Sequence, residues 1–415
     1  MTDKQITRRC CGLYRVAVLA MGVGGCTGEV KTVQVTDSAG IRIVANQSTD
    51  SGWRDMPRWT VTEDLGIGTD SGAPELQFGR IGDLAVSTRS DIAVIDQLNG
   101  VVRVFDSSGT HRIAVGRSGR GPGELSRSAN GIYWLGTDSL LVLDPGERRQ
   151  TIFRLDGTVD TVMPLPPSPT GQGWSRLSTG DLLMRGLTIS RVEGRSNFWD
   201  ALLKVRVDGS AADTLFEFDY ARTDLGGPGR LKIQLLVNNP SWALLSDGRI
   251  AWTALDRDFV QVHDSAGRVV ARITSAQWVT REITTADRTA MVELLRTKLR
   301  AIGGDASFAD SPQVEAPPRF PAITAVRAGP GGTIWVQLMG PVETIDPMAI
   351  NAPDRADFLG GSTWHVLDST GAFLGKLELP RRFRPYRITN DAVYGAARDD
   401  DGVERIVRLR LSTGS

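Results

Sequence analysis

Apolar positions in this chain fall in short runs of four or five residues. Each run is followed by a second one that ends in a polar turn rich in Asp and Gly. The pattern reads Ile92-Ala-Val-Ile-Asp96 then Val102-Arg-Val-Phe-Asp106-Ser-Ser-Gly109, and Leu140-Leu-Val-Leu-Asp144 then Thr151-Ile-Phe-Arg-Leu-Asp156-Gly157. It returns at Ile250-Ala-Trp-Thr-Ala through Val260-Gln-Val-His-Asp264-Ser-Ala-Gly267, and at Thr333-Ile-Trp-Val-Gln through Trp364-His-Val-Leu-Asp368-Ser-Thr-Gly371. Weaker copies lie at Asp181-Leu-Leu-Met through Leu203-Lys-Val-Arg-Val-Asp208-Gly209, and at Ala392-Val-Tyr-Gly-Ala through Arg405-Ile-Val-Arg-Leu. Runs of this length bounded by turn residues are strands. Six copies of a four-strand unit predict an all-β fold, a six-bladed β-propeller with four antiparallel strands per blade.

In the first blade the pattern places strands at Ile81–Ser87, Asp91–Asp96, Val101–Asp106 and His111–Gly116. The last blade lacks a fourth strand after Leu411. A partial repeat supplies it: Leu65-Gly-Ile-Gly68 with Pro74-Glu-Leu76 parallels Ile113-Ala-Val-Gly116 with Gly123-Glu-Leu125. Trp59–Ile67 is therefore expected to be the outer strand of the sixth blade, closing the ring and removing an open sheet edge. The propeller then spans 59–415. Residues 27–58 form a leader, with a hairpin expected over Gln34–Val44 around Ser38-Ala-Gly40.

The first 26 residues differ in kind. Lys4, Arg8, Arg9 and Arg15 precede the apolar run Val16–Gly25, which ends at Cys26. This is the layout of an export signal. The run is about half the ~20 residues that a spanning helix requires. Val23-Gly-Gly-Cys26 resembles a bacterial lipobox, which implies lipid attachment at Cys26 and tethering of an exported protein to a membrane of the cell envelope; cleavage as an ordinary signal peptide is the alternative. Thr7-Arg-Arg9 bears a fainter resemblance to a twin-arginine signal. Cys10 and Cys11 precede the run, so the mature chain would keep only Cys26, leaving no disulfide and no thiolate metal site.

Lys plus Arg and Asp plus Glu number 48 each, and loss of the signal's four cations and one anion leaves the remainder at −3. Such a body does not suit a phosphate backbone, and no nucleic-acid partner is expected.

Asp96-Gln-Leu-Asn99, Val102-Arg-Val-Phe-Asp106 and the phrase Val115-Gly-Arg-Ser-Gly-Arg-Gly-Pro-Gly-Glu-Leu125 together resemble the NHL-type repeat of six-bladed propellers. The glycine phrase is similar to one in a group of bacterial envelope propellers and lipoproteins of unassigned activity. The resemblance covers about residues 59–165 closely and the later blades loosely, so it implies fold more than function.

Sorting the loops by propeller topology puts the long insertions on one face: Gly116–Leu125, Leu187–Phe198, Asp224–Pro240, Ser275–Pro321 and Pro341–Ser362. Long loops on one rim of a rigid scaffold are where binding concentrates; covering the tunnel is the plainer role. Within them Thr284–Ile302 reads as an amphipathic helix, a helical insertion over about 284–303. Asp287 lies three residues after the capping Thr284, Met291, Leu294, Leu295, Leu299 and Ile302 share a face, and Gly303-Gly304 ends it. It would serve as a lid or as a packed cover, with Arg288, Arg296, Lys298 and Arg300 as a solvated face.

The chemistry is sparse. His111, His263 and His365 are the only histidines and fall outside the inner strands, so neither a three-His metal site nor a Ser-His triad is expected. Asp96 and Asn99 suit a turn more than a ligand site. Arg117, Arg120 and Glu124 in the glycine phrase are binding candidates for a carboxylate or phosphate, unless the glycines only allow a tight crossing between blades. No catalytic residue is assigned. Hard cations take oxygen ligands from scattered loops, as calcium-dependent lactonase propellers do with Glu, Asn and Asp at the tunnel mouth, so calcium is the one cofactor considered, with Glu124, Asn130, Asn238 and Asn239 as candidate ligands. The leading expectation is a tethered module binding a protein, peptide or small molecule at the long-loop face; a calcium-dependent hydrolase is the alternative.

Overall fold

Six four-stranded antiparallel sheets follow one another in the computed structural model, which describes residues 32–47, 59–165, 173–192, 195–220, 232–352, 359–399 and 401–413. The signal segment, Cys26 and the lipobox lie outside the described residues. From the tunnel outward, blade 1 is Ile81–Val86, Ile92–Asp96, Val101–Phe105 and His111–Val115; blade 2 is Gly131–Leu135, Ser139–Asp144, Arg149–Arg154 and Val159–Pro164. Blade 3 is Trp174–Arg176, Leu182–Val192, Arg195–Val205 and Ala212–Glu217; blade 4 is Ser241–Leu244, Ile250–Thr253, Phe259–His263 and Val269–Ser275. Blade 5 is Ile323–Ala328, Ile334–Met339, Gly360–Leu367 and Phe373–Glu378. Blade 6 is Phe383–Ile388, Ala392–Arg398 and Glu404–Thr413, completed by Trp59–Ile67. Among the described residues no helix is long and apolar enough to cross a membrane.

The second strand of each blade is covered on both sides by neighbouring blades, which is why Ile92–Asp96 is buried at every position instead of alternating. The core is accordingly a set of layers between blades. One joins Ala93, Ile95 and Val102 of blade 1 to Ile132, Leu140 and Phe153 of blade 2. Another joins Ile67 and Tyr394 of blade 6 to Leu84, Ile92 and Phe105 of blade 1. The Asp-Ser-x-Gly phrase is the turn between the third and fourth strands. Asp106 Oδ1 accepts from the backbone N–H of Ser108 and Thr110, both at 3.0 Å, and Asp264 and Asp368 repeat this device. Glycine closes the turn at φ of 82–91° at residues 109, 267 and 371, a region open to it without strain.

Ring closure follows the predicted strand, with Trp59–Ile67 antiparallel to Glu404–Thr413. The register shifts between Glu63 and Leu65, so Asp64 sits at a bulge, and its carboxylate meets Arg408 at 2.8 Å and Arg410 at 2.7 Å. Burial would raise the Asp64 carboxyl, but the hydrogen bonds from both arginines outweigh it and hold it below the ordinary range.

The leader does more than its sequence indicated. Val33–Ser38 and Ile41–Asn46 form the expected hairpin, turning through Ala39 and Gly40. Its second strand then pairs in parallel with Val269–Ser275, so blade 4 becomes a six-stranded sheet. Asn46 ends the hairpin, wedged between blades 4 and 5. Its amide donates to Thr274 O and Gly371 O, both at 3.1 Å, and Phe373 N–H donates to its Oδ1 at 2.8 Å.

Candidate functional site: the capped long-loop face

Three of the five insertions fuse into a cap with a core of its own, separate from the layers between blades. Leu235 and Leu236 come from the insertion before blade 4. Met291, Leu295, Ala309, Val314 and Phe320 come from the one between blades 4 and 5, and Val342, Ile345, Ala349, Ile350 and Leu359 from the loop within blade 5. Two short pairings tie these segments: Ile233–Gln234 runs parallel to Val314–Glu315, and Arg281–Glu282 antiparallel to Arg319–Phe320. A fourth insertion is not a loop. Leu187–Phe198 continues the second and third strands of blade 3, which pair from Leu182↔Val205 out to Val192↔Arg195.

The helix, α1, spans Thr285–Ala301 and starts with the predicted capping box between Thr284 and Asp287. Met291 and Leu295 are buried and Leu294 and Leu299 pack beside them, whereas Ile302, expected on the same face, is 58% exposed at the C-cap. The basic face is also largely occupied. Arg288 donates to Val314 O at 2.7 Å, Lys298 to Ile350 O at 2.6 Å, and Arg296 pairs with Asp310 at 2.6 Å. Those contacts strap α1 onto the cap.

Between cap and blade 4 lies a cleft of about 480 Å³. Its apolar lining includes Leu236, Leu255, Phe320 and Pro317, and its polar groups include Gln234, Asn238, Asp256 and Asp258. Two polar walls are held in place, since Gln234 donates to Glu315 at 3.0 Å and Asn238 Oδ1 accepts from Leu255 N–H at 2.7 Å. Next to Asp258, Arg257 is fixed over the Trp252 and Phe259 rings and faces Asp219 at 3.4 Å. Asp258 is exposed, and its carboxylate makes no hydrogen bond or ion pair among the described residues.

Of the residues singled out in the sequence, only Asn238 lines this cleft. Glu124 is committed to its own loop: Arg117 Nε donates to Oε1 at 2.9 Å and Gly121 N–H to Oε2 at 2.7 Å. The backbone hydrogen bond from Gly121, joined by Arg117, holds the Glu124 carboxyl below its usual range. Gly119 suits this place, because its φ of 153° is one that side chains rarely adopt and a Cβ would press on the Glu124 carboxylate. Arg120 is exposed and 3.5 Å from Glu147, and Arg149, which the sequence did not flag, donates to the carbonyls of Arg120 and Glu124. The glycine phrase thus builds a tight crossing between blades 1 and 2.

The other oxygen donors considered for calcium have protein partners of their own. Asn130 accepts from Trp174 Nε1 at 2.9 Å at the start of blade 2, and Asn239 from Arg185 at 2.9 Å ahead of blade 4. Among the described residues no three His, Cys, Asp or Glu side chains gather in a group that could hold a metal ion. Each of the four candidates Glu124, Asn130, Asn238 and Asn239 has its side-chain oxygen engaged by a protein donor. Asp96 is fully buried and accepts from Gly79, Arg80 and Asn99 while pairing with Arg103 at 3.0 Å, which pins the crossing into blade 1.

The histidines are packing groups. His263 stacks on Phe216 with ring centroids 3.8 Å apart, and His111 meets Phe105 edge-on. His365 is fully buried in blade 5 and accepts at Nδ1 from Trp278 Nε1 at 3.1 Å, which fixes the neutral tautomer with its proton on Nε2. Burial, with Lys376 nearby, pushes its pKa down to about 4. Such a histidine is neutral when folded but takes a proton when unfolded below its ordinary value of about 6.5. Its stabilisation is therefore complete above that pH and is lost as pH falls toward 4. The expected loss is about 3 kcal/mol. His263, also lowered by burial, acts with the same sign. Urea unfolding at pH 7 and pH 4 should show this drop in the wild type and a smaller one in His365→Asn, which keeps an acceptor for Trp278; equal drops would refute the assignment.

Neither a protein-family model nor a curated protein matches the sequence. Among solved structures the chain is similar to a member of the DUF4221 family from Bacteroides vulgatus, at 9% identity and TM-score 0.47 over 86% of this chain and 98% of that one. It is also similar to virginiamycin B lyase from Staphylococcus aureus, at 10% identity and TM-score 0.44 over 86% and 100%. A third is the calcium-binding protein regucalcin from Agrobacterium tumefaciens, at 10% identity and TM-score 0.42 over 85% and 96%. The six-bladed fold of this chain stands on its own strand pairing.

Proposed function

We propose that this chain is an exported propeller, tethered to a membrane of the cell envelope through Cys26, that binds a ligand at its capped face. The observation carrying this reading is the cleft of about 480 Å³ between cap and blade 4. Two insertions, the one before blade 4 and the one between blades 4 and 5, wall it together with the Leu255–Asp258 turn of blade 4, and the Asp258 carboxylate, unpaired among the described residues, stands at its rim. An apolar lining beside Asp256 and Asp258 suits a ligand with an apolar body and a cationic group, such as a basic peptide end or an amine. The tether rests on the charged N-terminal segment and on Val23–Cys26.

The test is a thermal-shift and titration series with lysine–phenylalanine and arginine–leucine dipeptide amides. A member that stabilises the wild type should bind about fivefold more weakly to Asp258→Asn, since an exposed charge contact contributes about 1 kcal/mol. Arg112→Gln, on the outer strand of blade 1, should leave binding unchanged. No stabilisation by any member, or equal binding to Asp258→Asn, would sink this reading.

A further inference from the structure

The inner strands bring together a second constellation, distant in sequence and unrelated to the cap. Tyr133 of blade 2 pairs across its sheet with Leu141, and Arg327 of blade 5 with Trp335. Arg387 of blade 6 pairs with Tyr394, and Arg176 of blade 3 with Leu182. Counted along the second strand of each blade, those partners are the first, second or third residue of the apolar run. The four side chains therefore leave the tunnel wall within about 7 Å along its axis, at the end nearer the short turns.

Two of the heads reach other blades. Arg387 extends from blade 6 to Asp83 of blade 1 at 3.1 Å and to Ile132 O of blade 2 at 3.3 Å. Its guanidinium stands 5.8 Å from the centre of the Tyr133 ring. Arg327 extends from blade 5 to Pro385 O of blade 6 at 3.3 Å. Asp83 is the single carboxylate of this group and is already occupied, accepting from Leu84 and Ile132 N–H as well as Arg387. Among the described residues Arg387 and Arg176 act on Tyr133 against the single carboxylate of Asp83, so positive charge is in excess around its hydroxyl.

Two donors there are unused. The Tyr133 hydroxyl is buried without a hydrogen-bond partner, and so is Arg176 Nε. Arg176 makes no ion pair or hydrogen bond among the described residues. Burial pushes the Tyr133 phenol well above its ordinary range, and the neighbouring Arg387 and Arg176 only partly oppose this, so it is a neutral O–H donor. A buried polar group left without a partner is costly, and structures keep few of them without a use.

We propose that this end of the tunnel is a binding site for a small oxyanion, a phosphate or carboxylate group, which takes the Tyr133 hydroxyl and the Arg176 guanidinium as donors with Arg327 and Arg387 as flanking charge. An oxyanion would satisfy both unused donors at once and offset the excess charge. The site goes beyond the proposed cleft and shares no residue with it.

The experiment is a thermal-shift and calorimetric titration of the full chain with inorganic phosphate and, separately, with acetate, at ionic strength held constant with chloride. One or both should raise the melting temperature saturably, and the stronger of the two names the group. Tyr133→Phe and Arg176→Gln should each weaken that binding at least tenfold, and Arg112→Gln should not change it. Without added anion Tyr133→Phe should melt no lower than the wild type, because the hydroxyl it removes has no partner; this variant decides the matter if Arg176→Gln does not fold. Absence of saturable stabilisation by either probe, or a Tyr133→Phe protein that responds as the wild type does, would overturn the proposal.

Discussion

Deleting Trp59–Ile67 abolishes the cooperative melt of the propeller. Among the described residues that strand is the only partner of Glu404–Thr413 on its outer side, and it supplies Ile67 to the layer between blades 6 and 1, with Trp59 and Val61 packed on the layer between blades 5 and 6. Each such side chain contributes about 1.5–3 kcal/mol when buried. Three or four of them, with the open edge left behind, match the ~5–15 kcal/mol that holds a domain together. Graded variants separate the terms. Ile67→Ala should cost about 2–4 kcal/mol through its cavity. Asp64→Ala should cost about 2 kcal/mol, because it takes the carboxylate from Arg408, whose side chain is 8% exposed, and leaves it with the neutral partners Ser107 O and Tyr394. The depressed Asp64 carboxyl contributes fully above its unfolded value of about 3.9, and that share is lost as pH falls through the lower folded value. A deletion variant that still melts as one transition near the wild-type temperature would show that the ring does not depend on this closure.

The parts of this fold that could be read in advance are those whose physics is local. Asp-Ser-x-Gly turns draw their hydrogen bonds from within four residues, so the phrase announces itself wherever it recurs. The second strands are apolar throughout because both faces are covered, and the closing strand betrays itself by copying the end of blade 1. What escaped is set by contacts between distant segments. Nothing in Val33–Asn46 indicates that it extends blade 4, and nothing in three separate insertions indicates a shared core. The glycine phrase was legible as a crossing or as an anion loop, and only the geometry of Glu124, with both oxygens engaged, separates the two. Tyr133, Arg176, Arg327 and Arg387 carry no spacing signal at all, since closing the ring is what places them at one level of the tunnel. Asp258 was invisible for the same reason, being one acidic residue among many until the cap stands over it.

Replacing Asn46 by Ala costs the protein about 3–5 kcal/mol. The side chain is 1% exposed, and it is the meeting point of three parts of the molecule: the hairpin it ends, Thr274 of blade 4, and Gly371 and Phe373 of blade 5. Truncation leaves the Gly371 carbonyl and the Phe373 N–H without their side-chain partner, at about 1–3 kcal/mol for each buried group. Asn46→Asp fares no better, because it keeps the acceptor for Phe373 but loses both donors and buries a charge. Asn46→Leu fills the volume and tests whether packing alone would serve; it should recover little of the loss. The hairpin then has less to hold its inner face, where Val44 is fully buried in the layer between blades 4 and 5. Limited proteolysis should therefore cut within Val33–Asn46 faster in Asn46→Ala than in the wild type, while Thr36→Ala on the exposed hairpin strand changes neither stability nor cutting. If Asn46→Ala melts with the wild type and resists protease equally, the hairpin is held by its strand pairing alone, and the wedge between blades 4 and 5 contributes nothing.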